Sequence, residues 1–123
     1  MELGSMEKEF VPYKLAVKLK ELGFDEECLM LWEHTDFWTN LVRPEEFKKV
    51  VSERYCQAPL WQQAFDWCLD KLKLIESYAI IIDSDSYSLV IMDYYYNDIK
   101  ENLTQSSTKE ECIKKLIELC EKN

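Results

Sequence analysis

The chain has 123 residues, of which 47% are hydrophobic, 32% charged and 13% aromatic, and it carries a formal net charge of −9. That apolar content is too high for a disordered chain, and the length suits one packed core. The negative field repels nucleic acid and anionic membrane and attracts basic surfaces, so a basic protein is the favoured macromolecular partner.

Met1 to Ser5, followed by a second methionine at Met6, reads as an expression-vector scar, leaving 6–123 as a single domain. Pro12 to Leu22 is the first predicted helix. Its proline suits the first turn, where a missing N–H costs nothing. Leu15, Ala16, Leu19 and Leu22 then share one face while Lys14, Lys18 and Lys20 keep to the other. Gly23 supplies a left-handed terminator, and Phe24 can fold back on Leu19. Cys28 to Trp32 reads as a strand, joined through Glu33–Asp36 to a second at Phe37–Val42. Pro44 to Arg54 has the composition of a short helix, ended by the stretch Tyr55–Ala58.

Pro59 to Leu74 is a second strong helix, with Trp61, Ala64, Phe65, Cys68 and Leu72 on one stripe. Tyr78–Ile82 and Tyr87–Tyr96 are rich in β-branched and aromatic residues, and four small polar residues, Asp83 to Ser86, separate them. That pattern predicts a β-hairpin. Asn97 to Ser106 is polar and reads as a loop. Ser107 or Thr108 then opens a last helix in a capping box with Glu110 or Glu111, burying Cys112, Ile113, Leu116, Ile117 and Cys120. With two glycines and three prolines, the chain lacks the turns of an all-β sandwich. The expected class is α+β: a small antiparallel sheet of three to four strands, including the C-terminal hairpin, with helices packed on one face.

Five cysteines, an odd number without a Cys-x-x-Cys pair, read as free reduced thiols in a cytoplasm. No apolar run approaches the roughly 18 residues of a membrane span. The sharpest chemical motif is the apolar strand ending in Asp83-Ser84-Asp85. It resembles the phosphoaspartyl loop of haloacid-dehalogenase-like phosphatases and the metal-binding Asp-x-Asp of some glycosyltransferases. Paired carboxylates there would hold Mg²⁺ beside a phosphate. Those families build the site on a large α/β sheet that the element order here does not contain, so a solvated hairpin tip is the favoured reading. His34, the single histidine, would need Cys28 or a distant cysteine to form a nucleophilic pair, and an exposed loop histidine is favoured instead. No catalytic, metal-binding or cofactor-binding residue is assigned, and no cofactor is expected.

Aromatics are the class in excess. Trp32, Phe37 and Trp38 cluster near the first strand, and Tyr94, Tyr95 and Tyr96 close the hairpin. Tyrosine and tryptophan combine large apolar area with a polar tip, which suits them to binding hot spots. The candidate partner-binding residues are Trp38, Asp83, Asp85, Tyr94 and Tyr96.

The stretch from Glu9 to Glu26 (Glu-Phe-Val-Pro-Tyr-Lys-Leu-Ala-Val-Lys-Leu-Lys-Glu-Leu-Gly-Phe-Asp-Glu) carries a resemblance, as does Ala58 to Trp67 (Ala-Pro-Leu-Trp-Gln-Gln-Ala-Phe-Asp-Trp). With the tyrosine-rich hairpin and the Thr-x-Glu-Glu helix, they resemble a group of small phage and prophage proteins of gut-type bacteria, a group with no assigned activity. The resemblance implies a phage or mobile-element origin and a bacterial cytoplasm, and it implies no catalytic residue. The leading expectation is a non-enzymatic interaction protein that binds a basic host or defence protein, as an inhibitor. The alternatives are a metal-dependent phosphate-transfer or nucleotide-binding protein using Asp83 and Asp85, and a structural homodimer formed along the hairpin edge.

Overall fold

The computed structural model describes residues 7–43, 55–93 and 95–123. The segments read above as an expression-vector scar (1–5) and as a short helix (44–54), and Tyr94, lie outside the described residues. The described elements are helix α1 (Tyr13–Glu21), strands β1 (Met30–His34), β2 (Thr39–Val42) and β3 (Tyr55–Ala58), helix α2 (Trp61–Leu72), strands β4 (Tyr78–Asp83), β5 (Ser86–Asp93) and β6 (Asp98–Ser107), and helix α3 (Lys109–Lys122). The fold is α+β with antiparallel pairing, as the sequence predicts. Where one small sheet was expected, the strands divide between two three-stranded sheets, ordered β2-β1-β3 and β4-β5-β6. The chain forms two compact units, Met1–Gln63 and Ala64–Asn123.

In the first unit, α1 starts at Pro12, and Leu15, Ala16 and Leu19 make its buried stripe. Its C-terminus is a Schellman motif. Gly23 takes φ 107°, its N–H donates to the Lys20 carbonyl at 3.0 Å, and the Phe24 N–H donates to the Leu19 carbonyl at 2.9 Å. Glycine is needed there because a side chain disfavours that φ.

The β1–β2 hairpin pairs antiparallel as predicted, with His34 opposite Thr39 and Leu31 opposite Val42. Glu33 and His34, expected in its loop, instead extend β1, and Phe37 and Trp38, expected in the second strand, lie in the turn. Residues 55–58, expected to close a helix, instead form β3, which pairs antiparallel with β1. Tyr55 and Cys56 favour a pleated surface, and the alternation of Cys56 and Ala58 inward with Tyr55 and Gln57 less buried is a strand period. Met30, Trp32, Leu41, Cys56 and Ala58 form one apolar face that packs with Phe10 and Ala16, and Tyr13, Val17 and Leu60 close its margin. Trp32 places its one polar atom well: the indole Nε1–H donates to the Val11 carbonyl at 2.9 Å.

The second unit is built on β5, whose Leu89, Val90 and Ile91 are all buried. β4 and β5 pair in one unbroken register from Tyr78–Ile91 to Asp83–Ser86. Ser84 takes φ 54°, the left-handed residue that a two-residue hairpin turn requires. β6 occupies 98–107, where a polar loop was expected. It pairs with β5 through three register shifts, each of which adds a residue on the β6 side. At one shift Thr104 repairs the ladder with its side chain, its Oγ1 accepting from the Leu89 N–H at 3.1 Å. These side-chain substitutions explain why so polar a segment can pair, and why apolar alternation does not reveal it.

α3 is capped as predicted. Thr108 Oγ1 accepts from the Glu111 N–H at 3.1 Å, and Glu110 and Glu111 sit in the first turn, where the helix dipole favours negative charge. Cys112, Ile113, Leu116, Ile117 and Cys120 make its buried stripe. A short polar seam ties this helix to the sheet. Thr104 Oγ1 and Ser107 Oγ lie 3.3 and 3.4 Å from Cys112 Sγ, and Ser107 Oγ donates to the Tyr87 carbonyl at 3.0 Å.

Candidate functional site

Three reverse turns carry the residues singled out from the sequence. In the first unit, the β1–β2 turn is held by Thr35. Its Oγ1 accepts from the N–H groups of Phe37 and Trp38, each at 3.2 Å, and its own N–H donates to the Trp38 carbonyl at 2.9 Å. The turn thereby presents Phe37 at 88% exposure beside a half-exposed Trp38, their ring centroids 6.4 Å apart. Glu33 anchors Trp38 from the neighbouring strand, accepting from its indole N–H at 3.2 Å and from the Tyr55 hydroxyl at 2.9 Å. Trp32, expected in the same aromatic cluster, points the other way, into the core.

In the second unit the candidates separate. Asp83 and Asp85 are exposed at the β4–β5 turn, where the Ser86 hydroxyl donates to the Asp83 carbonyl at 2.9 Å. Tyr95 and Tyr96 lie on the β5–β6 turn, 93% and 82% exposed. The eight residues of β5 run between the two turns, so the carboxylates and the tyrosines stand at opposite ends of the sheet, about 23 Å apart at the usual strand rise. They do not form one site. At the tyrosine end, Asp93 Oδ1 accepts from the N–H groups of Tyr95 and Tyr96 at 3.0 and 3.3 Å, and Asp98 Oδ1 accepts from the Ile99 N–H at 2.8 Å. Asp93 and Asp98 are register partners across the strand pair, so two carboxylates flank the exposed rings. Asn97 completes the turn at φ 50°.

His34 lies on the first unit's sheet. Its ring stacks on Tyr13 at 4.4 Å with a 13° interplanar angle, and Nδ1 lies 2.7 Å from Thr39 Oγ1. Cys28, its closest cysteine in sequence, has a thiol pushed up to about 12 by burial and then by the Glu26 charge, the direction opposite to an activated nucleophile. Among the described residues no group of three or more His, Cys, Asp or Glu side chains is placed to hold a metal ion. No helix there is long and apolar enough to cross a membrane.

Sequence reasoning passed over two features. Phe37 and Tyr95 are the more exposed members of their turns, which the hydrogen bonding of Thr35 and Asp93 decides and no periodicity signals. Cys68 of α2 and Cys120 of α3 are the second. Their buried thiols share a hydrogen bond, which lowers Cys120 and, together with burial, raises Cys68. The only hint in the sequence is that each sits on the apolar stripe of its helix.

No family model, curated protein or solved structure matches this chain.

Proposed function

We propose that the chain is a non-enzymatic interaction protein that docks on a basic protein surface through its ring-bearing turns. One observation carries the reading: Tyr95 and Tyr96 stand almost fully exposed on a turn that the Asp93 carboxylate fixes, with Asp98 alongside. Large exposed aromatic side chains mark interaction surfaces, and a turn whose backbone is already fixed in place loses little entropy on binding. The neighbouring carboxylates supply the attraction that steers a cationic partner. The turn bearing Phe37 and Trp38 repeats the design, with Glu33 as its acidic neighbour. Following the sequence resemblance, we assign the protein to a phage or mobile element acting in a bacterial cytoplasm. Its partner there is a host or defence protein, and inhibition is the action.

The test is affinity capture from bacterial lysate with the wild-type chain and with a Tyr95→Ser/Tyr96→Ser variant, at two salt concentrations. The expected result is a basic protein that the wild type retains, that the variant loses and that added salt releases. Retention of the same partner by a variant without the rings overturns the reading, and so does the absence of any stoichiometric partner.

A further inference from the structure

The two edges of the second unit's sheet differ in a way that points to a pairing surface. β6 is guarded. It carries Lys100 and Glu101, takes up three register shifts and is polar along most of its length, all devices that stop one sheet edge from adding to another. β4 has only a terminal charge, Asp83. Its sequence is Tyr-Ala-Ile-Ile-Ile-Asp, without lysine, proline or a register shift. Ile81 and Ile82 are 37% and 58% exposed, and among the described residues no strand pairs with its outer side.

The hairpin register determines which backbone groups that edge offers. The Met92 N–H donates to the Ser77 carbonyl at 2.8 Å. In an antiparallel ladder bonded pairs alternate, so Ala79, Ile81 and Asp83 also direct their backbone groups toward β5. Tyr78, Ile80 and Ile82 direct theirs outward. We propose that β4 pairs antiparallel with β4 of a second copy of this chain, about a two-fold axis through Ile80. Residues opposite one another in an antiparallel pair must share a face, so a strand meeting itself can be centred only on a residue, never between two. Centring on Ile80 matches all three outward-facing residues: Ile80 meets its own counterpart, and Tyr78 meets Ile82 in both directions. Ala79 then lies opposite Ile81, small against large. The strand's single charge, Asp83, meets the neutral Ser77 hydroxyl, so no two carboxylates oppose each other. A basic segment would find no counter-charge on the outward residues. A second β4 is apolar in the same places.

The β4 edge shares no residue with the aromatic turns, and salt distinguishes the two proposals. Two copies that each carry −9 repel, so screening strengthens edge pairing, whereas it weakens docking on a basic protein. The experiment is sedimentation equilibrium of the whole chain from about 0.05 to about 0.5 M NaCl, a range that shortens the screening length severalfold. The wild type is expected to dimerise, more tightly as salt rises. Ile82→Lys is expected to weaken the dimer about tenfold or more while circular dichroism and Tm stay close to wild type, since that side chain is already solvated. To read the register, Ile80→Cys should cross-link to its counterpart on mild oxidation, and Ile81→Cys, which lies opposite Ala79, should not. A chain that stays monomeric at every salt concentration overturns the proposal and leaves the capture experiment unaffected. A dimer indifferent to Ile82→Lys, or one that cross-links through Ile81→Cys in preference to Ile80→Cys, overturns it as well.

Discussion

Along β1 burial alternates, with Met30 and Trp32 buried and Leu31 and Glu33 partly open, whereas along β5 it runs unbroken through Leu89, Val90 and Ile91. Successive strand residues point to opposite faces, so the first sheet has one dry face at its centre and the second has two. The units also differ at their helix starts. α1 begins at a proline with no side-chain cap, and α3 begins at a threonine that caps it. The first unit therefore relies on a few large inward side chains and on local hydrogen bonds, and the second on a central strand enclosed above and below.

Paired substitutions along the two central strands break or sharpen this contrast. Leu89→Ala should cost about 2–5 kcal/mol, the range for emptying a closed apolar site. Val90→Ala, its immediate neighbour, should cost more than about 1 kcal/mol, because it faces a second covered surface. Urea unfolding followed by circular dichroism measures both, and a Val90→Ala variant as stable as wild type would remove the two-faced description of β5. In β1 the neighbouring positions should diverge. Trp32→Phe leaves the buried Val11 carbonyl without its donor and should cost about 1–3 kcal/mol. Leu31→Ala should cost less than about 1 kcal/mol, as expected away from a closed site. Equal losses at Leu31 and Trp32 would contradict a one-faced sheet. The smallest effect belongs to the cap. Thr108→Ala should lower stability by about 1 kcal/mol, and Thr108→Ser should restore most of it. A loss unrelieved by serine would assign Thr108 a role other than capping.

Much of this fold is legible in the residues themselves. The stripe of Leu15, Ala16 and Leu19, the Gly23 terminator, the Thr108 cap and the Asp83–Ser86 break between two β-branched runs each state a local preference that the three-dimensional arrangement obeys. β3 and β6 are hidden for different reasons. Four residues, Tyr55 to Ala58, are too few to show a period, and their partner β1 lies far back in the chain. β6 obtains part of its pairing through Thr104 and Ser107 side chains, so its polarity conceals a strand. The candidate site was partly legible. An excess of aromatics marks Trp38 and Tyr96, but composition cannot tell that β5 separates Tyr96 from Asp83 and Asp85. Nor can it tell that Trp32 turns inward while Phe37 and Trp38 stay exposed.

All five sulfhydryls are sequestered, two of them (Cys28 and Cys56) before residue 63 and three (Cys68, Cys112 and Cys120) after it. Each half of the molecule thus contains its own set of internal clocks. An alkylating reagent can reach a given cysteine only when that half opens, and peptide mass mapping after timed exposure would tell the breathing of one from the breathing of the other without adding any label.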